Sequence, residues 1–131
     1  MENFNPQDCI AGKISRLQRQ ITHIFRKHIR SFGVTTSQLS LLFVLFKRTE
    51  LSQKELAEIA VLEKSSLKRN IDLIIKNGWA EPGLGKKVSL TPSGKKLVIM
   101  VLPSWQQAMK TLEMQLGQDG LAALKLLESK F

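Results

Sequence analysis

Two short helical segments between residues 52 and 78, separated by only a few residues, constrain the fold of this chain most. The first begins at a capping box, Ser52-x-x-Glu55, in which each side chain satisfies a free backbone N–H of the first turn. The second runs from Glu63 to Gly78, with apolar residues at helical spacing. Two such helices joined by a turn predict a helix-turn-helix.

The second helix has one apolar side and one cationic side. At about 100° per residue, Leu67, Ile71 and Ile74 share one side. Opposite them lie Ser65, Lys68, Arg69, Asp72 and Lys76. Residues 63–96 hold eight basic and three acidic side chains. Their net charge, 8 − 3 = +5, is more than half of the chain's net charge of +9. This concentration favours a polyanionic partner such as DNA, with a solvated lysine-rich surface as the alternative.

The pattern changes to two short strands after Gly78. Residues 79–81 and 87–90 predict a hairpin around a turn at residues 82–85, which contains one proline and two glycines. Thr91 and Pro92 then predict the start of another helix. A helix-turn-helix followed by a hairpin is a winged helix. The predicted fold is therefore mainly α with a small β-hairpin wing.

Longer helices are predicted on both sides of this region. The first runs from about Gln7 to Phe32, has a continuous apolar stripe and ends at Gly33. A second capping box, Thr35-x-x-Gln38, precedes a short helix that we expect to be buried on most sides. Residues 93–131 are predicted to be helical, with a kink at Pro103 and breaks at Gly117 and Gly120.

Composition and motifs argue against several other classes of protein. The single cysteine allows no internal disulfide, which fits a reducing compartment. The N-terminus lacks the basic-then-apolar order of a signal peptide, and the longest purely apolar run, residues 97–102, is too short to span a bilayer. We expect a cytoplasmic protein without a membrane segment. The sequence has no phosphate-binding loop, nucleophile motif or metal-ligand cluster, so we expect no enzyme, cofactor or metal.

Three stretches, Gly33–Leu39, Leu51–Trp79 and Leu90–Lys95, together resemble the MarR family of bacterial winged helix-turn-helix transcription regulators. The resemblance implies a single domain over residues 1–131 that acts as a homodimer. Residues 7–32 and 93–131 would be dimerisation helices, and residues 35–92 the DNA-binding core. The implied function is a sequence-specific regulator of double-stranded DNA, a repressor, with a helix at residues 64–77 in the major groove of a pseudo-palindromic operator.

The charge pattern and the resemblance give one set of candidate DNA-binding residues. A helix fits the major groove, and a helix N-terminus favours phosphate. The set is Gln53 and Lys54 in the first helix, Lys64, Ser65, Ser66, Lys68, Arg69 and Lys76 in the second, and Lys86 and Lys87 in the wing. The two wing lysines stand where the family has an Asp-x-Arg element. This short wing leaves a second interpretation open, a protein-interaction or adaptor module with little DNA binding.

Three other residues have two interpretations each. Cys9 is a redox sensor, as in hydroperoxide-sensing relatives, or a plain thiol, which the absence of tyrosine favours. Trp79 and Trp105 line a pocket for a small aromatic effector, as in other relatives, or pack in the core. His23 and His28 are five residues apart on a helix and therefore do not jointly face one metal ion.

Overall fold

The structure, a computed structural model, describes residues 3–60 and 64–131. In chain order the elements are α1 (Ile10–Ile29), α2 (Thr36–Arg48), β1 (Glu50–Ser52), α3 (Gln53–Ile59), α4 (Lys64–Lys76), β2 (Ala80–Pro82), β3 (Lys87–Leu90) and α5 (Pro92–Glu128). The predicted fold, mainly α with a small β wing, is confirmed. The segment between the two predicted helices, with the predicted start of the second helix at Glu63, lies outside the described residues.

The chain divides into two compact units. One unit is Ile29–Ser104, which holds α2, α3, α4, the sheet and the start of α5. The other consists of Met1–His28 and Trp105–Phe131. Among the described buried hydrophobic residues, only Ala108 and Leu112 lie outside the first unit. The unit with the winged helix therefore contains a hydrophobic core of its own.

The core of the winged-helix unit is built from α2 and from the inward sides of α3, α4 and the start of α5. Helix α2 is buried on most sides, as predicted, and Leu41 and Leu42 have no exposed surface. Ile59 and Leu102 are less buried, with 38% of each residue exposed. Ile59 is the last residue of α3. Leu102 lies one position past buried Val101, on the outer side of α5.

The ends of the helices follow the predicted signals. Both capping boxes form, at Thr35 with Gln38 and at Ser52 with Glu55. Gly33 adopts a left-handed φ of 73° where the first helical segment ends. At the end of α4, the N–H groups of residues 78 and 79 donate to the carbonyls of residues 75 and 74, at 2.9 and 3.0 Å. This is a Schellman motif, which needs the left-handed φ of 77° at residue 78.

The sheet has three antiparallel strands in the order β1-β3-β2. The sequence analysis predicted β2 and β3 and missed β1, because three residues are too few to show an alternating pattern. In the register, Leu51 pairs with Val88 and Ala80 pairs with Leu90, and all four side chains are buried. Ser52 ends β1 and also caps α3, so the sheet fixes α3 beside the wing.

Helix α5 differs from the prediction near its end. Gly117 leaves the helical conformation, with φ 68° and ψ −179°, as expected. The break predicted at Gly120 is wrong, since Gly120 is helical. Pro103 lies inside α5 and retains helical dihedral angles. In the part of the chain that the structure describes, no single helix is long and apolar enough to cross a bilayer. The segments 10–32 and 36–48 together have the required length and apolar composition, but they are bent by 75° relative to each other.

Candidate nucleic-acid interface

An open concavity of about 1500 Å³ lies between α3, α4 and the wing, within the winged-helix unit. Helix α3 contributes polar and small side chains, α4 contributes most of the charge, and the wing contributes one lysine. The lining residues are Gln53, Lys54, Ala57 and Glu58 of α3, Ser65, Leu67, Lys68, Arg69, Asp72 and Leu73 of α4, and Lys86 of the wing.

Burial of one side of α4 sets which residues face the concavity. Leu67, Ile71 and Ile74 are at most 4% exposed, and they anchor the helix on the core. Five exposed residues line the concavity from α4, and they recur at steps of three and one, which places them on one face of the helix. They are Ser65, Lys68, Arg69, Asp72 and Leu73. The predicted division of α4 into an apolar and a polar side is therefore confirmed.

The first turn of α4 suits a negatively charged ligand. Among the described residues, this turn contains no acidic side chain that would oppose the partial positive charge of its free N–H groups. Ser65 is exposed there, whereas Ser66 is half-buried. The Asn70 side-chain amide donates to the Ser66 carbonyl at 2.9 Å, which satisfies an amide that is only 8% exposed. Ser65 is therefore the more accessible of the two predicted serines.

Helix α3 is held in place by its capping box. The Glu55 N–H donates to Ser52 Oγ at 3.1 Å, and the Ser52 N–H donates to Glu55 Oε1 at 3.2 Å. The hydrogen bond from the Ser52 backbone is the main cause that lowers the pKa of Glu55, with smaller contributions from the Ser52 side chain and from nearby Lys87 and Arg48. Glu55 therefore stays ionised at neutral pH and keeps the first turn of α3 closed.

The wing is a tight turn whose two lysines have different surroundings. The Gly83 N–H donates to the Lys87 carbonyl at 2.7 Å, which closes the turn. Gly85 and Lys86 both have positive φ, 64° and 63°, and Lys86 lines the concavity. Lys87 Nζ instead lies 3.8 Å from Glu50 Oε1, an exposed ion pair across β3 and β1. Lys86 of the turn therefore shares the concavity with residues of α4, whereas Lys87 forms an ion pair with Glu50 of β1.

The base of the wing is tied to the end of α4 through Thr91 and Gly94. Thr91 N–H donates to the Trp79 carbonyl at 3.0 Å, and Thr91 Oγ1 donates to the Gly78 carbonyl. Gly94 N–H donates in turn to Thr91 Oγ1 at 3.1 Å, so Thr91 caps α5 as predicted. A Cβ at Gly94 would lie 1.9 Å from the Trp79 carbonyl oxygen. The absence of a side chain at residue 94 therefore lets α5 start directly beside the end of α4.

The structure brings together six of the ten predicted DNA-binding residues in this concavity: Gln53, Lys54, Ser65, Lys68, Arg69 and Lys86. Ser66, Lys76 and Lys87 are not part of its lining. The side chain of Lys64 lies outside the described residues. Whether any of the ten contacts DNA stays a prediction.

Five residues of the lining lie outside the predicted set, namely Ala57, Glu58, Leu67, Asp72 and Leu73. The sequence analysis placed Asp72 on the polar side of α4 but gave it no role. Helical spacing could have found two of the others, because Ala57 and Glu58 follow Gln53 and Lys54 by four positions. The lining carries four positive and two negative side chains. Its net charge is therefore positive, and the acidic Glu58 and Asp72 divide the surface into attractive and repulsive positions.

The other candidate residues lie outside the lining of this concavity. Cys9 is an exposed free thiol just before α1, and its redox role stays a prediction. Trp79 belongs to the winged-helix unit and Trp105 to the other unit, so their shared effector pocket also stays a prediction. His28 Nδ1 lies 2.9 Å from the Ile24 carbonyl. No group of three or more metal-ligating side chains occurs among the residues described.

Comparison with known proteins finds similarity at the level of structure. No protein-family model matches the chain, and no curated protein matches it. BpsR of Bordetella bronchiseptica, whose DNA binding is regulated by 6-hydroxynicotinic acid, has a TM-score of 0.82 at 18% identity over 97% of this chain and 96% of its own. A MarR variant from E. coli in complex with operator DNA has a TM-score of 0.82 at 21% identity over 98% and 96%. NadR in complex with 4-hydroxyphenylacetate has a TM-score of 0.76 at 20% identity over 93% of each chain.

These likenesses extend over nearly the whole chain, so they cover the terminal helices as well as the winged helix. The chain has the winged helix-turn-helix fold of the MarR-type transcription regulators. This agrees with the fold that the resemblance in the sequence implied.

Proposed function

We propose that this protein is a member of the MarR family, a homodimeric regulator that binds a specific double-stranded DNA site and acts as a repressor. The observation that supports this most is the exposed side of α4, where Ser65, Lys68 and Arg69 line a concavity between α3 and the wing. Buried apolar residues hold the other side of the helix in the core. Such a helix fits the major groove, where each base pair presents its own pattern of donors and acceptors.

The charged side chains of the concavity have distinct roles in this proposal. Lys54 and Lys68 carry point charges suited to phosphates. Arg69 carries five donors in a planar fork, and it can bind the O6 and N7 acceptors of guanine in a bidentate manner. Lys86 extends the same positive surface to the wing. We therefore assign base readout to Arg69 and backbone contacts to the lysines.

A second copy of the chain is the proposed partner of the terminal helices. In the unit that contains them, large apolar side chains are exposed on both α1 and α5: Ile10, Ile14 and Leu17, and Met114, Leu121, Leu124 and Leu127. Several large exposed apolar side chains at helical spacing favour an interaction with another chain, and a twofold dimer is the commonest closed assembly. Two α4 helices would then bind half-sites about one helical turn of DNA, roughly 34 Å, apart.

The test is selection of bound duplexes from a random pool, with the mass of the complex measured on the same sample. The proposal predicts an enriched pseudo-palindrome and two chains per duplex. Arg69→Ala should lose about 1–3 kcal/mol of discrimination at one base pair of each half-site. Lys76→Ala, an exposed lysine outside the concavity, is the matched control and should retain the preference. An unselected pool from the unmodified protein would refute the proposal.

A protein-binding adaptor is the second candidate function. Leu67, Leu73 and Ala57 give the concavity apolar lining, and Glu58 and Asp72 repel phosphate, so an amphipathic helix of another protein could occupy it. This candidate predicts no enriched duplex at low salt and stable co-purification of a protein partner. Arg69→Ala would then weaken the binding of that protein partner and leave DNA binding unaffected.

An aromatic acid is the proposed effector class, because BpsR responds to 6-hydroxynicotinic acid and NadR binds 4-hydroxyphenylacetate. Trp79 and Trp105 are the candidate contacts, and each is half-buried. Titration of hydroxylated aromatic acids should change tryptophan fluorescence and release the selected duplex. The same titration is then repeated with the Trp79→Phe and Trp105→Phe variants separately. A variant that still releases the duplex but no longer changes its fluorescence has lost the tryptophan that reports effector binding.

A further inference from the structure

We propose that the cationic side of α1, the α1 row, is a second DNA-binding surface, which contacts the phosphate backbone of a duplex without reading its sequence. The α1 row consists of the five basic residues of the helix: Lys13, Arg16, Arg19, Arg26 and Lys27. All five are exposed. This inference goes beyond the proposed function and does not depend on the contacts assigned to α4.

Two segments account for the positive charge of the chain. Helix α1 carries five basic and no acidic side chains, a net charge of +5 with histidine counted as neutral. Residues 63–96 also carry +5, so the rest of the chain has a net charge of 9 − 10 = −1. The charge of α1 therefore equals that of the segment that contains α4, and a polyanion is the partner that both segments favour.

The charges of α1 differ from those of an ordinary solvated helix, which usually alternate in sign. Basic residues three positions apart, such as Lys13, Arg16 and Arg19, are neighbours on the helix surface and repel each other. Among the residues described, no member of the α1 row is in an ion pair, whereas Lys87 is paired with Glu50. No ion pair therefore offsets the repulsion within the row, and binding of a polyanion would relieve it.

The α1 row has the length and the shape to follow a phosphate backbone. The fourteen steps from Lys13 to Lys27 span about 21 Å of helix axis. A DNA strand has one phosphate per about 3.4 Å of duplex axis, which gives about six phosphates over that length. Arg16, Arg19 and Arg26 follow each other at steps of three and seven, which keeps them on one line along the helix. Their planar guanidinium groups can bind two phosphate oxygens each.

The α1 row stays accessible in the proposed dimer. At about 100° per residue, its arginines lie at least about 100° around the helix from the exposed side chains of Ile10, Ile14 and Leu17, which are proposed to contact the second copy. A membrane-bound amphipathic helix would bury that apolar side in lipid, so a bilayer would compete with the dimer, whereas DNA would not. The row also contains no aromatic side chain on which the bases of a single strand could stack. A duplex is therefore the favoured partner.

The experiment measures binding of the full chain to a short duplex of random sequence, by fluorescence anisotropy at several salt concentrations. The starting variant, Lys68→Ala with Arg69→Ala, removes contacts of α4 and should still bind this duplex. Addition of Arg16→Gln, Arg19→Gln and Arg26→Gln gives the row variant, which loses three phosphate contacts. Its slope of log affinity against log salt should be smaller by about 2.7, at about 0.9 for each contact. Between 50 and 200 mM salt, this corresponds to about a fortyfold smaller loss of affinity.

The matched control removes three exposed lysines from the same compact unit, by Lys110→Gln, Lys125→Gln and Lys130→Gln in the same starting variant. This control has the same net charge as the row variant, and its slope should stay at that of the starting variant. Replacement of the three arginines by lysine keeps the charge and should retain most of the slope. Urea unfolding of each variant controls for stability, which should not fall when like charges are removed from exposed positions.

Three results would overturn this inference. The first is an equal decrease of the slope in the row variant and the lysine control, because binding would then follow net charge alone. The second is loss of all duplex binding in the starting variant, since the α1 row would then bind no DNA by itself. The third is binding to phosphatidylglycerol vesicles that depends on the row while duplex binding does not, which would assign the row to a lipid surface. Failure of the proposed function looks different, because the unmodified protein would select no half-site but would still bind random duplex through the row.

Discussion

The two wing lysines, adjacent in sequence, should contribute unequally to DNA binding. Lys86 lines the concavity, whereas Lys87 Nζ lies 3.8 Å from the carboxylate of Glu50. We compare Lys86→Gln with Lys87→Gln, which remove one charge each and keep side chains of similar length. Only the loss of Lys86 should remove a full phosphate contact, because the charge of Lys87 is already partly compensated.

The size of the effect follows from counterion release. Each phosphate contact adds about 0.9 to the slope of log affinity against log salt, so two wings of a dimer contribute about 1.8. Between 50 and 200 mM salt, a slope difference of about 1.8 corresponds to about a twelvefold difference in affinity loss. The unmodified protein should therefore lose about twelvefold more affinity over this range than Lys86→Gln.

Fluorescence anisotropy with the selected duplex, at five or more salt concentrations, measures both slopes directly. Lys87→Gln should change the slope by less than half as much as Lys86→Gln. Equal changes, or a larger change for Lys87→Gln, would refute the assignment of Lys86 as the wing's phosphate contact.

Three further predictions concern the stability and charge of the site. Gly94→Ala should destabilise the fold by about 1–3 kcal/mol, because its Cβ would overlap the Trp79 carbonyl oxygen. The control is Gly12→Ala in α1, whose Cβ would meet nothing closer than 3.8 Å and which should stabilise the fold by up to about 1 kcal/mol. Urea unfolding that ranks the two variants in the opposite order would contradict the packing described. Because the pKa of Glu55 is lower in the folded state, its ionised form stabilises the protein above the ordinary pKa of a glutamate, and this contribution is lost as the pH falls through the lowered pKa. The difference in stability between the unmodified protein and Glu55→Gln should therefore be present at pH 7 and absent in strong acid, and a difference independent of pH would refute it. Asp72→Asn should raise the affinity for non-specific duplex by up to about fivefold, which corresponds to an exposed charge interaction of about 0.2–1 kcal/mol. Glu81→Gln, whose carboxylate lies outside the concavity, should leave this affinity unchanged. Equal effects of the two variants would mean that Asp72 does not face the DNA.

The sequence predicted the helices of the winged unit well because their signals are local. The capping boxes at Thr35 and Ser52 mark helix starts through hydrogen bonds within three residues. The end of α4 is equally local, since residue 78 needs the left-handed conformation that glycine adopts at little cost. The two sides of α4 follow from periodicity alone.

Features that depend on distant partners were missed or misplaced. Strand β1 is visible only because Leu51 pairs with Val88, thirty-seven positions later. Packing also decides which side of α5 faces the core, since Val98 and Val101 are buried whereas Leu102 is 38% exposed. Spacing along α4 placed Asp72 on the polar side, but only the concavity shows that it faces the same space as Glu58 of α3. The different surroundings of Lys86 and Lys87 likewise depend on Glu50 in another strand.

The central claim is that the exposed side of α4, together with the tip of the wing, is the surface that recognises the specific DNA site. Backbone amide NMR of the full chain, titrated with the selected duplex, tests this residue by residue. The account predicts that the largest shifts occur at Ser65, Lys68, Arg69 and Lys86, and that residues in the exposed C-terminal part of α5 stay unperturbed. Shifts confined to α5, with residues 65–69 unchanged at saturating duplex, would contradict it.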